Sequence, residues 1–151
     1  MMYEVISIIS LLSLTLLTGN EFSIAAFIYP SLGKLPAEAQ IRSVQSLSKT
    51  FGNVMPFWMG ATLLLMLLNV FLSNNLKAWQ FGVAVFAIAL FAFVIVFSII
   101  FPVPINNRII AWNAAAPPSN WREERRNWDF YHKIRVFALI ASTISFILAT
   151  A

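Results

Sequence analysis

Four long apolar runs divide the chain, and each is long enough to cross a membrane as a helix. A transmembrane helix needs roughly 20 residues, and the runs cover residues 5–29, 51–72, 81–101 and 134–151. None of them alternates apolar and polar residues with the period of two that is typical of β-barrel strands. The pattern therefore predicts an all-α fold, a four-transmembrane-helix bundle that forms a single domain over residues 1–151.

The connections between the runs predict how the bundle is completed. After Pro36, apolar residues at near-helical spacing favour a short interfacial helix in the first connection, although a solvated linker fits this segment equally well. The second connection, residues 73–80, is short, which predicts that the helices on either side of it are antiparallel neighbours. Pro102 and Pro104 are expected to end the third run, and a short helix is expected to follow them.

The composition excludes several classes of protein. Hydrophobic residues make up 60% of the chain and charged residues only 11%, which excludes a soluble globular domain. The first run is expected to be a span and not a cleaved signal peptide, because residues 1–4 carry no Lys or Arg. The chain has no cysteine, and its single histidine does not favour a zinc or copper site. We therefore expect no metal and no other cofactor.

The positive charge is concentrated on one side of the predicted bundle. Nine of the ten Lys and Arg residues lie in or beside the first and third connections, and only Lys77 lies in the second. The positive-inside rule then predicts an integral, multi-pass membrane protein with both termini on the non-cytoplasmic side. The net charge of +4 is explained by this topology, so no nucleic acid partner is predicted.

The last helix carries an unusual row of polar and aromatic side chains. It is expected to begin near Trp121 and to extend for about 30 residues, or about 45 Å, which exceeds the membrane core. Trp121, Arg125, Trp128, His132 and Arg135 are spaced 4, 3, 4 and 3 apart, so they share one face of that helix. We call this row the α6 stripe. It predicts a site, and the alternative is an interfacial aromatic belt whose arginines contact lipid headgroups.

Glu21 interrupts the first apolar run and is the other anomaly of the sequence. A carboxylate at membrane depth is costly, so it should face the interior and have a partner. Two interpretations stay open. Glu21 either takes part in proton transfer or forms a structural ion pair with Arg135 or another group of the last helix.

These residues together resemble a known family. The resemblance covers nearly the whole chain and rests on Gly19-Asn20-Glu21, Tyr29-Pro30, Leu35-Pro36, Pro104-Ile105-Asn106-Asn107 and the α6 stripe. The pattern is similar to the small integral-membrane domain-of-unknown-function family that includes the anthrone oxygenases. The resemblance implies a four-helix membrane protein and, from the few characterised members, oxidation of an anthrone to an anthraquinone by molecular oxygen without a metal or flavin.

The resemblance also implies which residues form the site. Matched by position, these are Asn106, Trp121, Arg125, Trp128, His132 and Arg135. We predict His132, Arg135 and Glu21 as catalytic residues, and we predict a set of substrate-binding residues that comprises Asn20, Asn106, Asn107, Arg108, Trp112, Trp121, Arg125 and Trp128. Two positions depart from the family pattern, because many members have histidine in place of Tyr29 and asparagine in place of Pro102.

Three functions compete at this point. The first is an oxygenase acting on a planar phenolic, anthrone or quinol-like small molecule, in which a base removes a proton and arginines stabilise the enolate. The second is a non-catalytic membrane subunit that binds a partner protein, a lipid or a quinone in the same pocket. The third is a proton-coupled transporter or channel, which would need a homo-oligomer and would rely on Glu21. The lipid bilayer is a predicted partner in each case.

Overall fold

The computed structural model describes residues 2–73 and 76–150, and this part of the chain contains helices and no strand. Residues 74–75 of the predicted second connection (73–80) and the predicted end of the last span at Ala151 lie outside the described residues. The helices in chain order are α1 (Met2–Ser23), a π-helical segment (Ile24–Ile28), α2 (Tyr29–Leu32), α3 (Ala37–Leu72), α4 (Ala78–Ile100), α5 (Pro102–Ala111) and α6 (Trp121–Thr150). The all-α prediction is confirmed.

Four helical stretches are long and apolar enough to cross a membrane. They cover Met2–Leu32, Ala37–Leu72, Ala78–Ala111 and Trp121–Thr150. Large apolar side chains on their outer faces are exposed, among them Phe57, Phe71 and Phe137, each with at least 73% of its surface accessible. Such a surface fits contact with lipid, so the prediction of an integral membrane protein is confirmed. The side of the membrane on which the termini lie stays a prediction.

The four long helices form a closed ring around one core. Helix α6 packs against α4 and α1, and α3 packs against α1 and α4; within the described residues, neither diagonal pair of helices is in close backbone contact. The interior of the ring is filled by fully buried apolar side chains from every helix, which include Leu14, Leu17, Met66, Phe91 and Phe146. This arrangement is the predicted four-helix bundle.

Hydroxyl and amide groups join the helices inside this apolar core. Small polar side chains let membrane helices approach closely and bond across the interface. Four such hydrogen bonds are Asn69 Nδ2 to Ser10 Oγ (3.1 Å), Ser13 Oγ with Thr62 Oγ1 (2.8 Å), Thr18 Oγ1 with Thr143 Oγ1 (2.7 Å) and Ser142 Oγ to the Ala87 carbonyl (2.8 Å). They join α1 to α3, α1 to α6, and α6 to α4.

The first connection differs from the prediction. The structure has one continuous helix, α3, from Ala37 to Leu72, so the predicted separate interfacial helix is not confirmed. The buried face that begins with Ile41 and Val44 continues through Ser48 to Met55. Val44 and Ser48 contact α5, and Met55 reaches the main core of the bundle. The near-helical spacing seen in the sequence is therefore the first part of the second spanning helix.

A π-helical segment precedes α2 and carries the helix past Pro30. Pro30 has no backbone N–H, and its ring would clash with the carbonyl four residues earlier in a regular α-helix. The wider turns of Ile24–Ile28, with the Tyr29 N–H donating to the Ile24 carbonyl, accommodate the proline without ending the helix. The segment therefore turns Tyr29 into the bundle, where this side chain is buried.

We predict that the tight contact between α4 and α6 depends on a small residue at position 87. Ala87 is fully buried, and its carbonyl accepts the hydrogen bond from Ser142. Ala87→Leu should lower the free energy of unfolding by about 1–3 kcal/mol, because the larger side chain would separate the two helices. Ala89→Leu is the matched control on the exposed face of α4 and should change it by less than about 0.5 kcal/mol. Denaturant titration in detergent measures both, and equal effects would contradict the prediction.

Candidate functional site

The α6 stripe faces the interior of the bundle. Trp121, Arg125, Trp128 and His132 are each at least 92% buried, and the Arg135 side chain is 88% buried. An interfacial belt would expose its tryptophans and arginines to lipid headgroups. The burial of all five side chains therefore disfavours the belt.

The centre of the site is an ion pair between α1 and α6. Arg135 Nη2 donates a hydrogen bond to Glu21 Oε2, and the Glu21 side chain is 99% buried. A second nitrogen of Arg135, Nη1, donates to Ser98 Oγ on α4 (3.3 Å). Arg135 is thereby one of the partners that the sequence analysis considered for Glu21, and it joins three of the four helices.

His132 completes this cluster, and its hydrogen bonds define its tautomer. Its Nε2 lies 3.2 Å from the Glu21 carbonyl oxygen, which can only accept a hydrogen bond, so Nε2 carries the proton. Its Nδ1 lies 3.2 Å from Arg135 Nη2, which can only donate, so Nδ1 is the acceptor in the neutral ring. Glu21 Oε2 is 3.5 Å from the same Nδ1 and would stabilise a proton added there. We call Glu21, His132 and Arg135 the buried triad.

An aromatic stack extends from His132 towards the end of the bundle. The His132 ring stacks on Trp128 with 4.5 Å between ring centroids, and Trp128 stacks on Tyr29 at 4.4 Å. The Arg125 guanidinium lies 4.3 Å from the centroid of the Tyr29 ring, within the range of a cation–π interaction. The four side chains form a continuous layer from α6 to α2.

A cleft of about 210 Å³ lies beside this layer. Its wall is formed by the π-helical segment, α2, α3 and α6, through Ala25, Tyr29, Pro30, Gly33, Gln40, Arg125, Asp129, His132 and Lys133. Because Pro30, Gly33 and Lys133 are exposed, the cleft reaches the surface of the protein. His132 is the one member of the buried triad that lines it.

Arg125 is incompletely paired for a buried cation. Its Nη2 donates to Asp129 Oδ1 at 3.1 Å, whereas its Nε and Nη1 have no hydrogen-bond partner within the described residues. The side chain is only 5% exposed, and Asp129 is 41% exposed. A buried charge with free donors favours an additional acceptor, and the cleft that Arg125 lines is where a ligand could supply one.

The other predicted binding residues lie outside this cleft. Trp121 packs with Ile41 and Ala114 in a separate apolar cluster, and Trp112 packs both against it and against the cluster that contains Tyr29 and Trp128. Asn106 accepts a hydrogen bond from Ser48 (3.2 Å), and Arg108 forms an exposed ion pair with Glu124 (2.7 Å). Asn107 is exposed. Asn20 is half-buried, and its Nδ2 has no hydrogen-bond partner among the described residues. The structure thus joins Glu21, Arg125, Trp128, His132 and Arg135 and leaves the other six apart.

Three residues of the site were not selected from the sequence. Tyr29 entered the sequence analysis only through the family pattern, and Asp129 was not considered there because it lies off the α6 stripe. The i, i+4 spacing of Arg125 and Asp129 is a signal that could have linked them. Ser98 gave no signal, because its role depends on the packing of α4 against α6.

We predict that the Glu21–Arg135 pair is required for stability. Glu21→Gln should lower the free energy of unfolding by about 3–5 kcal/mol, because it leaves a buried guanidinium without its counter-charge. Glu38→Gln is the matched control in the exposed Glu38–Arg42 pair and should cost less than about 1 kcal/mol. The double variant Glu21→Leu/Arg135→Met removes both charges and should recover most of the loss. Equal unfolding energies for the Glu21 and Glu38 variants in a denaturant titration would refute this prediction.

Comparison with known proteins identifies a family. The family model described as anthrone oxygenase matches residues 47–145, which is about two thirds of the chain. No curated protein and no solved structure matches the chain. The matched region contains Arg125, Trp128, His132 and Arg135, whereas Glu21 and Tyr29 lie before it. The chain belongs to the anthrone oxygenase family of membrane proteins.

Proposed function

We propose that this protein is a membrane-embedded oxygenase that needs neither metal nor flavin and acts on a planar phenolic, anthrone or quinol-type small molecule. Family membership supports the reaction class. The observation that carries the proposal is the position of His132, which lines the cleft and is also held by Glu21 and Arg135. A general base needs this combination of access to the substrate and a fixed orientation.

His132 would remove a proton from the activated methylene group of the substrate. The lone pair of the neutral ring is on Nδ1, which accepts a hydrogen bond from Arg135 Nη2, so this bond would have to break before Nδ1 takes the proton. Glu21 Oε2, 3.5 Å from Nδ1, would then stabilise the added proton. Glu21 and Arg135 do not line the cleft, so we assign them to positioning the imidazole and not to contact with substrate. The ring nitrogen opposite the basic one, Nε2, donates to the backbone carbonyl of Glu21, so a third group orients the base.

Arg125 would stabilise the negative charge that the proton transfer creates. Removal of the proton gives an enolate, and Arg125 lines the cleft with an incomplete set of hydrogen bonds. A preset donor of this kind, shielded from water, typically contributes about 3–4 kcal/mol to a transition state. Arg135 donates to Glu21, Ser98 and His132 and does not line the cleft, whereas Arg125 does, so Arg125 is the better candidate for this role.

The electron-rich enolate would then react directly with molecular oxygen. Carbon–oxygen bond formation at the deprotonated carbon gives a hydroperoxide after one proton is returned. Loss of the second hydrogen from that carbon, with cleavage of the O–O bond, releases water and leaves a carbonyl. One oxygen atom thus enters the quinone and the other enters water, so the reaction balances without a further reductant.

The size of the cleft indicates how much of such a substrate would be enclosed. Pockets for drug-sized ligands usually measure about 300–1,000 Å³, and this cleft measures about 210 Å³. The reacting edge of a three-ring substrate would lie beside Tyr29 and His132, and the remainder would extend to the apolar surface of the bundle.

We predict that anthrone-dependent oxygen uptake by the purified protein exceeds autoxidation in empty detergent. His132→Gln should lower kcat by about 10²-fold or more, because glutamine can keep the hydrogen bond to the Glu21 carbonyl but cannot act as a base. Arg126→Gln, an exposed neighbour on α6, is the matched control and should keep the wild-type rate. An oxygen electrode measures the three rates.

Uptake by His132→Gln at the wild-type rate would contradict the assignment of the base. Uptake by the wild type equal to that of empty detergent would contradict the oxygenase function with this substrate. A partner protein that co-purifies in stoichiometric amount would then favour the non-catalytic subunit.

A further inference from the structure

We propose that the cleft selects a planar aromatic ligand that carries an acidic oxygen, and that it binds this ligand as a carboxylate or phenolate anion at Arg125. The inference rests on the proposed function, because it names the substrate class of the same cleft. It begins from the charges on the cleft wall. Arg125 and Lys133 are positive and Asp129 is negative, so the ionised side chains carry one net positive charge.

The net positive charge is partly buried, which makes it effective in binding. Arg125 is 95% buried, and among the described residues Asp129 Oδ1 is the one hydrogen-bond acceptor for its three nitrogens. Asp129 is itself 41% exposed, so water weakens its attraction for the guanidinium. An anionic oxygen placed in the cleft would add the acceptor that Arg125 lacks. Such a charge-assisted hydrogen bond is stronger than one between neutral groups.

The aromatic part of the ligand follows from the side chain beneath Arg125. The guanidinium lies over the Tyr29 ring, which lines the cleft, and Tyr29 is fixed by stacking on Trp128. A flat ligand can pack beside the Tyr29 ring while its acidic oxygen accepts hydrogen bonds in the plane of the guanidinium. A phosphate or a lipid headgroup offers the charge but no flat apolar surface for the wall formed by Ala25 and Pro30.

The first test compares a charged probe with a neutral one of similar shape. Anthracene-9-carboxylate and 9-anthracenemethanol are titrated into the protein in one detergent, with energy transfer from the tryptophans as the signal. Arg125→Gln should weaken binding of the carboxylate about 10- to 100-fold more than it weakens binding of the alcohol. Partition of the probes into micelles cancels in this ratio. Arg126→Gln is the matched control and should keep the wild-type preference.

Two further variants separate charge from packing. Arg125→Lys keeps the positive charge but not the planar fork, and it should keep part of the preference for the carboxylate. Asp129→Asn removes the competing anion and should tighten binding of the carboxylate several-fold without changing that of the alcohol. Equal binding of the two probes, no binding of either, or an unchanged preference in Arg125→Gln would overturn the proposal. So would displacement of the carboxylate probe by inorganic phosphate at equal concentration.

The outcome is separable from that of the oxygenase assay. Anion-selective binding by a protein that shows no oxygen uptake would support this inference and contradict the proposed function. Oxygen uptake by a protein that binds the neutral probe equally well would support the function and overturn this inference.

Discussion

The ion pair between Glu21 and Arg135 is the constraint on which the rest of the site depends. Two charges inside a membrane bundle lose their hydration, and they persist only when they neutralise each other. The pair fixes α1 against α6, and Ser98 adds α4 to the same cluster. Because His132 bonds to both the Glu21 backbone and Arg135, the pair also fixes the orientation of the imidazole. Stability and the proposed chemistry therefore depend on one set of contacts.

The π-helical segment explains how a small bundle can combine this cluster with an accessible cleft. Pro30 would end or kink a regular helix, and the wider turns before it keep the chain helical. This geometry brings Tyr29 onto Trp128 and leaves room for a cleft between α2 and α6. One end of the His132–Trp128–Tyr29 layer therefore meets the buried triad and the other meets Arg125.

The parts of the structure that depend on local pattern were predictable from the sequence. The four spans follow from apolar run length, and the inward direction of Trp128, His132 and Arg135 follows from their spacing on one helix. The partner of Glu21 was predictable because few groups in the interior can neutralise a carboxylate. The features that depend on packing were not predictable. The position of Tyr29 requires the π-helical turns, and the separation of Trp121 from the cleft requires the fold of the segment before α6. The continuous α3 was missed because an amphipathic helix end resembles an interfacial helix.

The central claim is that His132 removes a proton from the substrate before oxygen reacts, and hydrogen exchange tests this step without oxygen. An anthrone is incubated with the protein in deuterated buffer under anaerobic conditions, and deuterium at the methylene carbon is measured by mass spectrometry. The account predicts exchange well above that in empty detergent, with His132→Gln slower by about 10²-fold or more. Oxygen uptake by a protein that shows no exchange above the detergent background would contradict it.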